Sequence, residues 1–369
     1  MTTTRTTTRT TTRSLRLATA GVAVLALSLT ACGSDGGSDS ASAGGAPSGT
    51  LHTFTYSDTV ADSKIAHFKE AYPDIKLETA TFESNDEAAA KIRAGFRADV
   101  IELCLDEQGP LVEAGMLAPI DTSRLTHWDD LDPTFRDAAG VTNNGEVTMV
   151  PEEAGAVGLI YNREAFPNGV DSWADLFDPK YKGQVAMDGG YWLPPIAEWA
   201  LANGSTDPMN LDDDQVEQAK DALSQLRDDG QFRAFAQSDS DMANMFKSGE
   251  IILSDGGRAT ADDIQKGGGN VAWALPKEGA LSWVCGLAIS SKADNVDAAY
   301  AFINDATSPP TQALFGNSGY VMMNPKAVPL VKDHYTEMAD PRSLKGAYPE
   351  TAPANADTWR KAWQEVKAG

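Results

Sequence analysis

The sequence predicts an α/β fold preceded by an amino-terminal segment that takes no part in it. Three observations carry this reading. Short β-type runs alternate with amphipathic runs between Leu51 and Gly115. Hydrophobic residues make up 42% of the 369 residues, enough for one large or two medium cores. The first fifty residues have the composition of a targeting signal and a tether, without core periodicity. Strand and helix in alternation are the βαβ signature of a parallel sheet with helices on its faces.

The elements follow in order. LHTFTY (51–56) reads as a strand. Ser57 or Asp58 is placed to cap the helix ADSKIAHFKEAY, where Ile65, Phe68 and Tyr72 fall near one face and Pro73 stops the run. Residues 75–77 resume a strand, FESN (82–85) leads into the helix DEAAAKIRAGF, and DVIEL (99–103) is a third strand. A helix opens around Pro110 and closes at Gly115. Residues 147–151 and 156–161 read as two further strands. SWADL from Ser172 starts a short capped helix, and 182–187 is a turn into a strand. Residues 211–229 form an amphipathic helix with Leu211, Val216, Ala219, Leu223 and Leu226 on its buried side, ended by Gly230. Residues 241–246 and 249–253 make a helix–strand step. Residues 296–307 are a buried helix stopped at Ser308-Pro309-Pro310. The tail is a surface helix with Trp359, Trp363 and Val366 on one face. No internal repeat is evident. Gly267-Gly268-Gly269 follows a helix instead of opening one, so it reads as a turn and not as a phosphate loop.

The start of the chain has its own logic. MTTTRTTTRTTTRSLR carries only Arg5, Arg9, Arg13 and Arg16 as charges, and LATAGVAVLALSLTAC follows. A basic stretch, a short apolar run and small residues in that order read as a secretory signal. The run is too short and too rich in small residues for a comfortable transmembrane helix. Its end, Leu29-Thr30-Ala31-Cys32-Gly33, resembles a bacterial lipoprotein lipobox. That resemblance implies removal of residues 1–31 and lipidation of Cys32; the plain end of an ordinary signal peptide is the alternative. Residues 32–49 then hold the lipidated Cys and a Gly/Ser-rich flexible tether. The expected location is extracytoplasmic, lipid-anchored to the outer face of the bacterial cell membrane, where the environment is oxidising.

Charge and motifs exclude several classes. The 53 acidic residues against 30 basic ones give a net charge of -23, so there is no basic footprint for nucleic acid and a weak bias towards cationic ligands. Neither Gly-x-Ser-x-Gly nor His-Glu-x-x-His is present, which leaves a secreted hydrolase without a motif. His52, His67, His127 and His334 show no ligand spacing, against a ferric-ion binder. No cofactor or metal is expected. A purely structural or adhesive lipoprotein is the remaining rival.

Segments spread along nearly the whole chain carry a family resemblance. They are FESNDEAAAKI (82–92), ADVIE (98–102), LVEAGMLAPIDTSRL (111–125), LDPTF (131–135), DSWADLFDPKYKGQVAM (171–187), GEIIL (249–253), ALPKEGALSW (274–283) and GYVMMN (319–324). Their order and spacing resemble the solute-binding components of ABC importers, and more narrowly the spermidine/putrescine-binding branch. The resemblance implies a two-lobed periplasmic-binding-protein fold, type II-like, with discontinuous lobes and an interlobe ligand cleft. Lobe 1 would comprise 50–153 plus 285–318, and lobe 2 would comprise 154–284 plus 319–369. It implies a monomer that catalyses nothing and delivers its ligand to a membrane permease, with a lipid anchor as its only membrane contact.

Carried over residue by residue, the scaffold of the resemblance matches better than its pocket. Tyr56 stands where the polyamine binders usually carry Trp, and their second aromatic falls on Thr59. Two residues of the third-strand loop fall near Cys104 and Asp106. An acidic pair falls near Gly189 and Gly190, with Asp188 one step away. Glu152 and Glu153 replace an aromatic and an apolar residue, while Ser254-Asp255-Gly256 replaces an aromatic. Trp283 and Tyr320 match; the Asp two residues beyond Trp283 is Cys285. The implied ligand set is Tyr56, Asp106, Glu152, Glu153, Asp188, Asp255, Trp283 and Tyr320. A polyamine is one expected ligand, and another organic cation, thiamine-like or quaternary, is an equal one. An aminophosphonate, opine or sugar-like ligand of the same fold is the alternative; an anion would have only Arg258 and Lys277 to meet it. The same carry-over puts Cys104 and Cys285 together at the cleft wall and implies a disulfide between them. Two buried free thiols, or a thiol site for a ligand or soft metal, stay open beside it.

Overall fold

A computed structural model describes residues 46–369, apart from residues 58, 83, 84, 334 and 345 and the side chains of 85 and 86. The expected signal segment 1–31, the lipidation site Cys32, most of the tether and the cap candidate Asp58 lie outside the described residues.

The first βαβ block follows the expected alternation. Strand β1 (Gly49–Thr55), helix α1 (Asp62–Ala71), strand β2 (Ile75–Thr81), helix α2 (Asn85–Arg93) and strand β3 (Val100–Cys104) come in succession. β1 lies parallel to both β2 and β3. α1 starts after Ala61, which supplies no side-chain cap, and turns Ile65 and Phe68 inward. After the short helix Gly109–Glu113 the chain reaches β4 (Val150–Asn162), then β5 (Val185–Asp188), α3 (Pro194–Ala202), α4 (Asp213–Asp228) and β6 (Phe232–Ala236). α5 (Asp239–Ser248), β7 (Leu253–Gly257), α6 (Arg258–Lys266), β8 (Val271–Ala274) and β9 (Leu281–Ile289) follow. The chain closes with α7 (Val296–Ala306), α8 (Pro309–Gly316) and α9 (Ala356–Ala368).

Three expectations are corrected. The two strands expected at 147–151 and 156–161 are one, β4, because Gly155 does not interrupt it but admits a neighbour: a Cβ there would run into the Trp283 indole. The strand expected at 249–253 begins only at Leu253, since Gly249 is the left-handed cap of α5 and the chain must still turn. Ser308-Pro309-Pro310 ends α7 but also opens α8, with proline in the first turn where its missing N–H costs nothing.

The sheet order is β2-β1-β3-β9-β4-β7-β5-β6. Its centre is the antiparallel pair β9–β4. On one side β9 runs antiparallel to β3, with residues 285–289 opposite 100–104. On the other, β4 pairs antiparallel with β7 through residues 157–161, and β7 and β5 are parallel. Two parallel blocks are thus joined through two long strands.

Each block has its own core. Leu51, Phe68, Val100, Val284 and Phe302 belong to one cluster. Leu159, Trp173, Val185, Leu223, Trp359 and Trp363 belong to another. The α4 side chains Val216, Ala219 and Leu223 are buried as expected, behind a capping box between Asp212 and Gln215. Leu226 is only partly buried. In the carboxyl-terminal part, Val321, Met323 and Leu344 pack in the first cluster, whereas α9 buries Trp359, Trp363 and Val366 in the second.

Candidate functional site

A cavity of about 610 Å³ opens between residues of both blocks. Its wall is built from the carboxyl ends of parallel strands, where open α/β sheets place their ligands. Tyr56 follows β1, Asp106 and Glu107 follow β3, Asp188 ends β5, Ser238 and Asp239 follow β6, and Asp255 lies on β7. Side chains from β4 and β9 complete it with Glu153, Trp283 and Cys285.

Of the sequence-predicted ligand residues, the fold brings Tyr56, Asp106, Glu153, Asp188, Asp255, Trp283 and Tyr320 to this wall. Glu152 is the exception. It does not line the cavity and sits at a β-bulge of β4, where Pro151 and Glu153 pair with the consecutive residues Gly286 and Cys285 of β9. Glu152 is buried, and its carbonyl accepts from Gln312 Nε2 at 2.9 Å. Thr59 does not line the cavity; its hydroxyl donates to Glu102 Oε2 at 2.7 Å, and the same oxygen accepts the Tyr56 N–H at 3.0 Å. Gly189 packs with no room for a side chain, a Cβ there lying 2.8 Å from that of Phe235. The cationic candidates Arg258 and Lys277 are not in this wall. Arg258 stacks over Trp273, and Lys277 pairs with Asp171 at 3.5 Å.

Cys104 and Cys285 form a disulfide across β3 and β9, where they are directly opposed with Cα atoms 3.9 Å apart. Both line the cavity. The free-thiol and soft-metal alternatives are thereby set aside.

The wall is also richer in acid than the sequence reading anticipated. Asp239, Asp263 and Glu350 line it, as do Tyr191 and Trp192. Glu198 is fully buried on α3 behind Asp255. Asp255 accepts the Asp188 N–H with both carboxyl oxygens, at 2.9 and 3.1 Å. Among the described residues no N–H or O–H group donates to either Glu198 oxygen, and its carboxyl meets Asp255 directly. Two carboxylates in contact need a proton between them.

The titration behaviour follows from this crowding. Burial first, and the charge of Asp188 next, push Asp255 up to about 8. Burial raises Asp188 to about 6, with Asp239 adding to the rise. Glu198 and Glu350 are both held well above the ordinary carboxyl range, chiefly by burial and then by neighbouring acids. Among the described residues the cavity wall has no Lys, Arg or His.

Aromatic faces complete the site. Trp283 and Tyr320 meet edge-on with centroids 5.7 Å apart. The Arg360 guanidinium covers Trp192 at 4.4 Å and reaches Glu107 Oε1 at 3.4 Å. A carboxylate cluster flanked by rings can hold an organic cation through ion pairing and cation–π attraction.

The profile of the family described as bacterial extracellular solute-binding protein matches residues 64–340. The chain belongs to this family. A spermidine/putrescine-binding periplasmic protein of Escherichia coli (strain K12) is 26% identical to this solute-binding protein over 333 residues, covering 87% of this chain and 92% of the relative. A putrescine/agmatine-binding protein of Pseudomonas aeruginosa is 26% identical over 349 residues, again covering 87% and 92%. The solved spermidine/putrescine transporter substrate-binding protein of Streptococcus pneumoniae superposes with a TM-score of 0.75 at 20% identity, over 86% of this chain and 97% of that one. The fold is therefore the two-lobed periplasmic-binding-protein fold.

Proposed function

We propose that this solute-binding protein captures a small organic cation, a polyamine or a related amine, and delivers it to the permease of an ABC importer without chemical conversion. One observation carries the reading: acids and aromatic rings line the cavity, and among the described residues no cationic side chain does. That the Escherichia coli relative is a spermidine/putrescine-binding protein and the Pseudomonas aeruginosa relative a putrescine/agmatine-binding protein supports it. The bound cation pairs with Asp188, Asp255 and Asp106 and stacks on Trp283 and Tyr56. Glu153 contributes less to the ligand, because Lys64 Nζ already lies 3.7 Å away.

The two lobes are residues 50–153 with 285–318, and 154–284 with the carboxyl-terminal helix. Residues 321–344 go with the first, on the packing of Met323 and Leu344. β4 and β9 form the hinge region, and closure of the lobes around the solute presents the surface read by the permease. The protein works as a monomer held to the membrane by lipid on Cys32.

Calorimetry against putrescine, spermidine, agmatine, choline and thiamine tests the ligand class, with a dicarboxylate as control. Saturable one-to-one binding of at least one amine, and none of the dicarboxylate, is expected. Binding of the anion in preference to every cation overturns the reading. The anchor is tested separately: Cys32→Ser is expected to release the chain from bacterial membranes into the soluble fraction.

A further inference from the structure

Lys64 sits on α1 beside Ile65 and, like it, is buried, at 5% exposure. Lysine is almost never buried without compensation. Here the compensation has a specific form. Nζ lies 3.7 Å from Glu153 Oε2, 4.0 Å from the centroid of the Phe315 ring and 4.4 Å from that of Tyr320. A carboxylate combined with two aromatic faces is how a protein holds an ammonium ligand. Glu153 and Tyr320 are both part of the cavity wall, and Trp283 abuts Tyr320. The chain has therefore put an ammonium group of its own beside the wall, on groups that a solute ammonium would use.

The other acids are placed differently. Asp255 stands opposite Leu159 on β4. Glu153 lies six residues before Leu159 on the same strand. Lys64 thus satisfies one acid, Glu153, of a wall that also carries Asp106, Asp188, Asp255 and Glu350. A second ammonium arriving at Glu153 would meet the like charge of Lys64.

We propose that Lys64 is a specificity-determining residue, a tethered ammonium filling the Glu153–Phe315–Tyr320 cage, so that the cavity takes a short mono- or diamine held at Asp188 and Asp255 in preference to a longer polyamine. This rests on the cationic-solute reading above and names its substrate class. The test is calorimetry of the full chain with putrescine and spermidine. For the unaltered protein putrescine is expected to bind about 10-fold or more tighter than spermidine. Lys64→Met empties the cage and is expected to raise spermidine affinity by about 10-fold while changing putrescine affinity little. Adding Glu153→Gln to Lys64→Met is expected to remove that gain. Lys64→Gln, which keeps a donor for Glu153 but no charge, gives the same comparison if the Met variant does not fold. Spermidine binding as tight as putrescine in the unaltered protein overturns the inference, as does an unchanged preference in the folded variants. If no amine binds at all, the cationic-solute reading itself falls, and the inference with it.

Discussion

Asp255 accepts the Asp188 N–H through both carboxyl oxygens, yet it also faces Glu198 and the Asp188 carboxyl. Its negative charge is poorly matched until a cation arrives. Asp255→Asn is expected to weaken amine binding by about 10- to 100-fold, the worth of a charge-assisted hydrogen bond, while leaving the fold intact by calorimetry and circular dichroism. Trp283 works through its ring face. Trp283→Ala is expected to cost about 0.5–2 kcal/mol of binding, and Trp283→Phe to restore part of it. Not every one of these residues was legible in the chain. Asp188 and Trp283 came from motif positions, and Asp255 from a position where the pattern departs. Glu198 and Glu350 had no such marker. Glu198 is a lone acid in the apolar run PPIAEWALA, a signal that an acid is being buried on purpose, but it points to no partner until α3 is packed behind β7.

Among the elements, those with local signals were read well. α4 carries its capping box and its buried stripe in its own sequence. β7 does not: Leu-Ser-Asp-Gly-Gly has little β character, and only its place between β4 and β5 makes it a strand. The same holds for Lys64, a charge on the inner side of α1 whose purpose depends on Glu153, Phe315 and Tyr320, all distant in the sequence. At this scale the disulfide gives the sharpest prediction. It closes a loop of 181 residues between β3 and β9. Replacing both cysteines by Ser is expected to lower unfolding stability by about 2–4 kcal/mol in denaturant titration. A change in amine affinity without a change in stability would instead mark the bridge as a ligand contact.

Over the whole molecule the acid cluster makes stability depend on pH. Asp255 and Asp188 have folded-state values near 8 and 6, above those of an unfolded chain. The folded form therefore holds protons that the unfolded form has released. The stability this confers is full below about pH 4 and is lost as pH rises through about 6 and about 8. Thermal melts between about pH 5 and about pH 8.5 are expected to show Tm falling as pH rises, with a shallower fall in Asp255→Asn. A saturating amine is expected to raise Tm more at the alkaline end, where the acids it meets are charged. A rise in Tm with pH over this range would contradict the assignment. The Cys104–Cys285 bond also sets an order in time. A chain made from its amino end presents Cys104 first, and its partner follows only 181 residues later. By then β4, β5, β6, β7 and β8 have all been made. The edge of β3 that will receive β9 must wait unpaired throughout. Anything that stalls synthesis or export inside that interval leaves a first block with an open edge, ready to pair with the wrong chain.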